Sequence, residues 1–133
     1  WIEVTVGVVE RNGVLTALNP SITIVEGEVL TVEEKFQGGT GVNITPPPSE
    51  IISPSMLRLI TQRITRVAER IGIRGHALID AFVHVRTGNI LVIEVNTLPG
   101  LTPSTVLYHQ ALAENPPLFP RELLELLIDK TSV

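Results

Sequence analysis

Residues 90–100 of this chain read Ile-Leu-Val-Ile-Glu-Val-Asn-Thr-Leu-Pro-Gly, a β-strand pattern into which Glu94 and Asn96 carry oxygen-bearing side chains. Two residues apart, they face the same side of a strand, and an ionised carboxylate there needs compensation for its charge. A hard cation supplies it. Mg²⁺ takes oxygen ligands at about 2.0–2.1 Å, commonly one or two carboxylates together with substrate phosphates. The alternative is that Glu94 pairs with an arginine while Asn96 caps the turn that follows.

A third oxygen ligand depends on the preceding strand. The turn Arg86-Thr87-Gly88-Asn89 joins strands at 77–85 and 90–95. A three-residue loop at 86–88, with Gly88 in a left-handed G1-bulge position, puts Asp80 opposite Glu94. A two-residue loop at 87–88 would put them on opposite faces. The first register leaves Ile79, Ala81, Val83, Val85, Leu91, Ile93 and Val95 as an unbroken apolar core face. It also makes Asp80, Glu94 and Asn96 a candidate site for one or two Mg²⁺ ions. Carboxylates at that range resist joint ionisation unless a divalent ion stands between them.

Lys35, one of two lysines in the chain, precedes the run Phe36-Gln37-Gly38-Gly39-Thr40-Gly41. Glycines let backbone amides approach a phosphate, and a lysine adds mobile charge; an exposed loop lysine is the plainer reading. Glu3, the only charge in the otherwise apolar run 2–9, could accept ribose hydroxyls or simply face solvent. His76, His84 and His109 show no ligand spacing, and no Ser-His-Asp arrangement stands out.

The elements that must position these groups follow from periodicity. An antiparallel meander is expected over 2–32, with turns at 11–13 and 26–28 and a break at Asn19-Pro20. Residues 33–50 form a long Gly-then-Pro loop, a length usually tied to function or disorder. Ser53 as N-cap, Pro54 in the first turn and Gly72 as the stop bound a helix over 54–71, whose Arg58, Arg63, Arg66 and Arg70 read as a solvated face. The metal-site hairpin spans 77–95, and helices follow at 103–113 and 120–129. The fold class is α+β, a mostly antiparallel sheet with helices packed on it.

The 133 residues suffice for one domain, and the start at Trp1 in mid-strand predicts a piece of a longer chain. Absence of cysteine excludes disulfides, thiolate catalysis and Cys-type zinc sites. The default compartment is the cytoplasm. A net charge of −4 argues against a nucleic-acid surface, and no apolar run approaches a membrane span.

The segment from Glu94 through Ser104, Glu-Val-Asn-Thr-Leu-Pro-Gly-Leu-Thr-Pro-Ser, resembles the metal-binding signature of the D-alanine–D-alanine ligases of the ATP-grasp superfamily. Residues 2–7, 33–36 and 75–80 extend the resemblance over essentially the whole chain, as the C-terminal ATP-grasp domain. It implies ATP as cofactor with Mg²⁺ (or Mn²⁺), and D-alanine as substrate, joined through an acyl phosphate for peptidoglycan precursor synthesis. By resemblance Asp80, Glu94 and Asn96 are the metal ligands, Glu3 binds ribose, and Lys35 meets the γ-phosphate from the ω-shaped loop. Gly100 contributes an oxyanion amide, while Thr105 and Val106 receive the second substrate's carboxylate.

Two positions depart from the family pattern. Leu78 stands where an arginine stabilises the acyl phosphate, and Phe36 stands where many members carry a tyrosine beside the second-substrate site. The first opens the reading of a degenerate, non-catalytic nucleotide-binding module, the second that of D-alanyl-D-lactate synthesis. Another ATP-grasp carboxylate–amine ligase is a further alternative. The resemblance also implies N-terminal and central ligase domains upstream as partners, a homodimer as the common assembly, and no turnover by this chain alone.

Overall fold

In the computed structural model, which describes residues 1–25, 28–29 and 41–129, two antiparallel sheets and three helices are built. Chain order is β1 (Ile2–Arg11), β2 (Val14–Ala17), β3 (Ile22–Val25), β4 (Glu28–Val29), β5 (Val42–Ile44), α1 (Pro54–Ile71), β6 (His76–Val83), β7 (Ile90–Asn96), α2 (Val106–Leu112) and α3 (Pro120–Asp129). The fold is α+β.

The larger sheet has the order β2-β1-β6-β7, so the first strand lies against the β6–β7 hairpin. Alternation along β1 and β6 gives it two different faces. Val4, Val6, Val8, Ile79, Ala81 and Val83 are buried on one, under Ile60, Ile64 and Ala68 of α1. Burying an isoleucine contributes about 1.5–3 kcal/mol, so this stripe holds α1 to the sheet. Ser53 Oγ accepts the Met56 amide at 3.3 Å at one end of α1, and Gly72, at φ 77°, closes the other.

A second core covers one end of the opposite face, where Val9 and Leu18 meet Leu107, Tyr108, Ala111, Leu118, Leu123 and Leu127 of the α2–α3 region. Close approach of α2 to the sheet depends on Gly7. A Cβ there would stand 2.6 Å from both Gln110 Oε1 and Leu107 Cδ1.

The structure corrects the single meander expected over 2–32. β1 and β2 form a hairpin in the larger sheet, but β3 pairs with β4 and β5 in a separate one. The change of sheet occurs at Asn19-Pro20, where Asn19 is drawn to the end of α2: its amide nitrogen reaches Ala113 O at 3.1 Å and Glu114 Oε1 at 2.9 Å. A bridge between Thr5 and Ser21 is the join to β1. Residues 30–32 lie outside the described residues.

The loop expected over 33–50 contains β5, which pairs with β3; residues 33–40 lie outside the described residues. The helix expected over 103–113 is shorter, because Thr102 and Pro103 sit in a turn closed by the Thr105 amide on Thr102 O at 2.9 Å. Thr105 is extended at the N-cap and α2 begins only at Val106.

Candidate metal and nucleotide site

The hairpin that builds the site reaches the expected pairing by an unexpected route. His84 N–H donates to Asn89 O at 2.9 Å and Gly88 N–H to His84 O at 2.7 Å, which makes a four-residue loop at 85–88 rather than a three-residue one. Gly88 does take a left-handed conformation, φ 68°. It also lacks room for a side chain, since a Cβ would stand 2.7 Å from Leu59 Cδ2. Arg63 ties the turn to α1 through Thr87 O at 3.3 Å and Asn89 Oδ1 at 3.4 Å, a task beyond that of a solvated face.

From this turn Val83 pairs with Ile90, Phe82 with Leu91 and Ala81 with Val92. Continued unchanged, that register would place Ile93 opposite Asp80 and send Glu94 toward the core. A β-bulge between Asp80 and Ala81 prevents it: Ile93 is the extra residue, and Asp80 pairs with Glu94, Ile79 with Val95 and Leu78 with Asn96. The bulge also corrects the expected core face. Leu91 and Ile93 are exposed, while Ile90 and Val95 pack against the first core.

Asp80, Glu94 and Asn96 therefore share one face, at adjacent positions of β6 and β7. Asp80 is buried and its Oδ1 accepts a hydrogen bond from Thr5 Oγ1, Thr5 being its partner across β1. Glu94 and Asn96 are exposed, and among the described residues no arginine pairs with Glu94. Asn96 Oδ1 accepts the Leu98 amide at 3.0 Å, so it does cap the turn after β7. An amide oxygen has two lone pairs, and the cap leaves one for a metal.

The donor set fits a hard cation: two opposed carboxylates and an amide oxygen, with one carboxylate oriented by a hydroxyl. Glu3, half-buried, lies on the same face two residues before Thr5; its partner across β1–β6 is Phe82, in turn partnered by Leu91. A carboxylate thus stands beside a row of apolar side chains. Thr5 was not legible as part of the site, because its tie to Asp80 spans 75 positions and no local pattern signals it.

Gly100 is exposed, with nothing within 4 Å of the position a Cβ would take. Thr105 and Val106, both half-buried, start α2. Lys35 and Phe36 lie outside the described residues. Leu78 faces the same side as Asp80, but it packs against the second core, and its partners Gly7 and Asn96 are uncharged.

Comparison with known proteins matches residues 1–129 to a family model described as D-ala D-ala ligase C-terminus. A D-alanine–D-alanine ligase of Nitratidesulfovibrio vulgaris is 33% identical over 114 residues, covering 84% of this chain and 35% of that protein. The crystal structure of D-alanyl-alanine synthetase A from Vibrio cholerae superposes with a TM-score of 0.63 at 29% identity, over 96% of this chain and 38% of that one. The fold also matches the D-alanine–D-alanine ligase of Bacillus anthracis complexed with ATP, TM-score 0.66, at 17% identity over 96% of this chain and 37% of that one. The chain spans about a third of the length of such relatives. Over nearly its whole length, the chain belongs to the D-Ala–D-Ala ligase C-terminal family.

Proposed function

We propose that this chain forms the metal and acceptor side of an ATP-dependent D-alanine–D-alanine ligase serving peptidoglycan precursor synthesis in the cytoplasm. The observation that carries the reading is the bulge that sets Glu94 opposite Asp80, with Asn96 beside them on the same face. Among the described residues no helix is long and apolar enough to cross a membrane.

In this reading Glu3 accepts the ribose hydroxyls of ATP, and Phe82 and Leu91 give its base an apolar floor. Asp80, Glu94 and Asn96 hold Mg²⁺, for which Mn²⁺ can substitute. The metal, when bound, orients the phosphates and offsets the charge that develops during transfer. Thr5 keeps the Asp80 carboxylate turned to its ligand. Lys35 meets the γ-phosphate as the carboxylate of a first D-alanine attacks it and ADP leaves. The amine of a second D-alanine, bound by its carboxylate at Thr105 and Val106, then attacks the acyl phosphate. Gly100 N–H donates to the oxyanion of the tetrahedral intermediate; phosphate leaves, and the amine gives up a proton.

Closure against the N-terminal and central domains of a whole ligase would complete the site and exclude water, so this chain alone is expected to show no turnover. Homodimerisation belongs to the whole ligase. Leu78 favours one second reading, a nucleotide-binding module without ligase turnover, because an aliphatic side chain stands where the resemblance implies an arginine. Phe36 keeps D-lactate in play as second substrate.

The test is turnover by the whole polypeptide that carries this chain, with Mg²⁺, ATP, and D-alanine and D-lactate in competition. Phosphate release matched by D-alanyl-D-alanine supports the ligase. ATP binding without product supports the non-catalytic module, and Leu78→Arg should then restore turnover if the missing charge is the cause.

A further inference from the structure

Gln110, on α2, is fully buried, and its amide joins three parts of the fold. Its Oε1 accepts the Gly7 amide of β1 at 2.6 Å. Its Nε2 donates to Thr5 O at 2.7 Å and to Ser21 Oγ at 3.0 Å. Ser21 Oγ continues to Thr45 Oγ1, 2.5 Å away, just past the end of β5. Gly7 N–H faces the gap where the chain leaves one sheet for the other, between the β1–β2 pairing and the Thr5–Ser21 bridge. Gln110 fills that gap.

Thr5 makes the arrangement consequential. Its hydroxyl donates to Asp80 and its backbone carbonyl accepts from Gln110, so one residue ties α2 to the metal-site carboxylate. β1 is held to β6 at eight paired positions from Ile2 to Val9, whereas α2 is a seven-residue helix. If the amide bonds are lost, α2 is the part that shifts.

We propose that Gln110 is a positioning residue that fixes the acceptor-substrate residues Thr105 and Val106 relative to the Asp80–Glu94 pair. This rests on the ligase reading. A displacement of the order of 1 Å in an aligned site can cost about a hundredfold in rate, so a buried amide that fixes an inter-element distance acts on the acceptor while leaving the nucleotide end alone.

The experiment uses the whole polypeptide. Gln110→Met fills the same space and makes none of the bonds. The Michaelis constant for the acceptor D-alanine should rise at least about tenfold, while that for ATP stays within about twofold. Ser21→Ala removes one of the two Nε2 acceptors and should raise the acceptor constant by about threefold. A residue that only packs the core would lower the melting temperature and the active fraction but leave both constants at wild-type values, and that result overturns the proposal. If Gln110→Met does not fold, a folded Ser21→Ala with unchanged constants overturns it equally. Absence of D-alanine ligation by the wild type removes the ligase reading, and this proposal with it.

Discussion

Asp80 and Glu94 are partners across β6 and β7 only because Ile93 stands out of the ladder between them. On the turn side of that bulge the two strands pair one residue out of step with the site. An unbulged hairpin with this loop would turn Glu94 toward Ile79 and the core, and an unpaired ionised carboxylate there costs several kcal/mol. The bulge converts a hairpin with the wrong register for chemistry into one with two carboxylates side by side.

Thr5→Val keeps the shape of the β1 side chain and removes the hydrogen bond to Asp80. A bond to a charged acceptor contributes about 1.5–3 kcal/mol, so the urea midpoint should fall accordingly. Mg²⁺ affinity should weaken about tenfold as the carboxylate loses its orientation. Unchanged affinity in a folded variant would separate Thr5 from the site.

Two glycines with positive φ test backbone against packing. Gly72, at φ 77°, has open space around it, whereas Gly88, at φ 68°, faces Leu59 Cδ2 and Met56 Sδ. Gly72→Ala should cost about 1–2 kcal/mol for the left-handed conformation alone. Gly88→Ala adds overpacking against α1, about 1–3 kcal/mol more. Equal losses in denaturant titration would contradict the packing of the turn on α1.

Burial pushes the His76 imidazole below its ordinary value near 6.5. Its folded form therefore binds protons less readily than its unfolded form. Its contribution to stability is fully present above pH 6.5 and is lost as pH falls below that value toward the folded one. Melting at pH 7.5 and 5.5 should show a loss on acidification that is smaller in His76→Gln. An identical pH dependence in the two proteins would remove burial of His76 as a cause.

Local signals carried much of this fold. The caps of α1 stand in the sequence as Ser53-Pro54 and Gly72, and the apolar alternation of β6 marks its core face. Asp80, Glu94 and Asn96 were legible as a set because spacing within one hairpin constrains them. The route to their pairing was not: a four-residue loop plus a bulge gives the same partners at the site as a three-residue loop, and the two differ only on the turn side of the bulge, in the Val83–Ile90 pairing and the exposure of Leu91 and Ile93. The departure of β3 to a second sheet, and the tie of Asp80 to Thr5 and of Gln110 to β1, rest on contacts between distant segments. Nothing in local periodicity encodes them.

The central claim is that the Asp80–Glu94 pair holds the metal that brings ATP to this face. Its most direct test is calorimetric titration of ATP into the whole polypeptide with and without Mg²⁺, for the wild type and Glu94→Gln. Because Glu94 is exposed, the variant should fold normally. The account predicts that Mg²⁺ strengthens ATP binding in the wild type and that Glu94→Gln reduces this gain at least about tenfold, with little change in the metal-free titration. Equal Mg²⁺ dependence in the two proteins would contradict it.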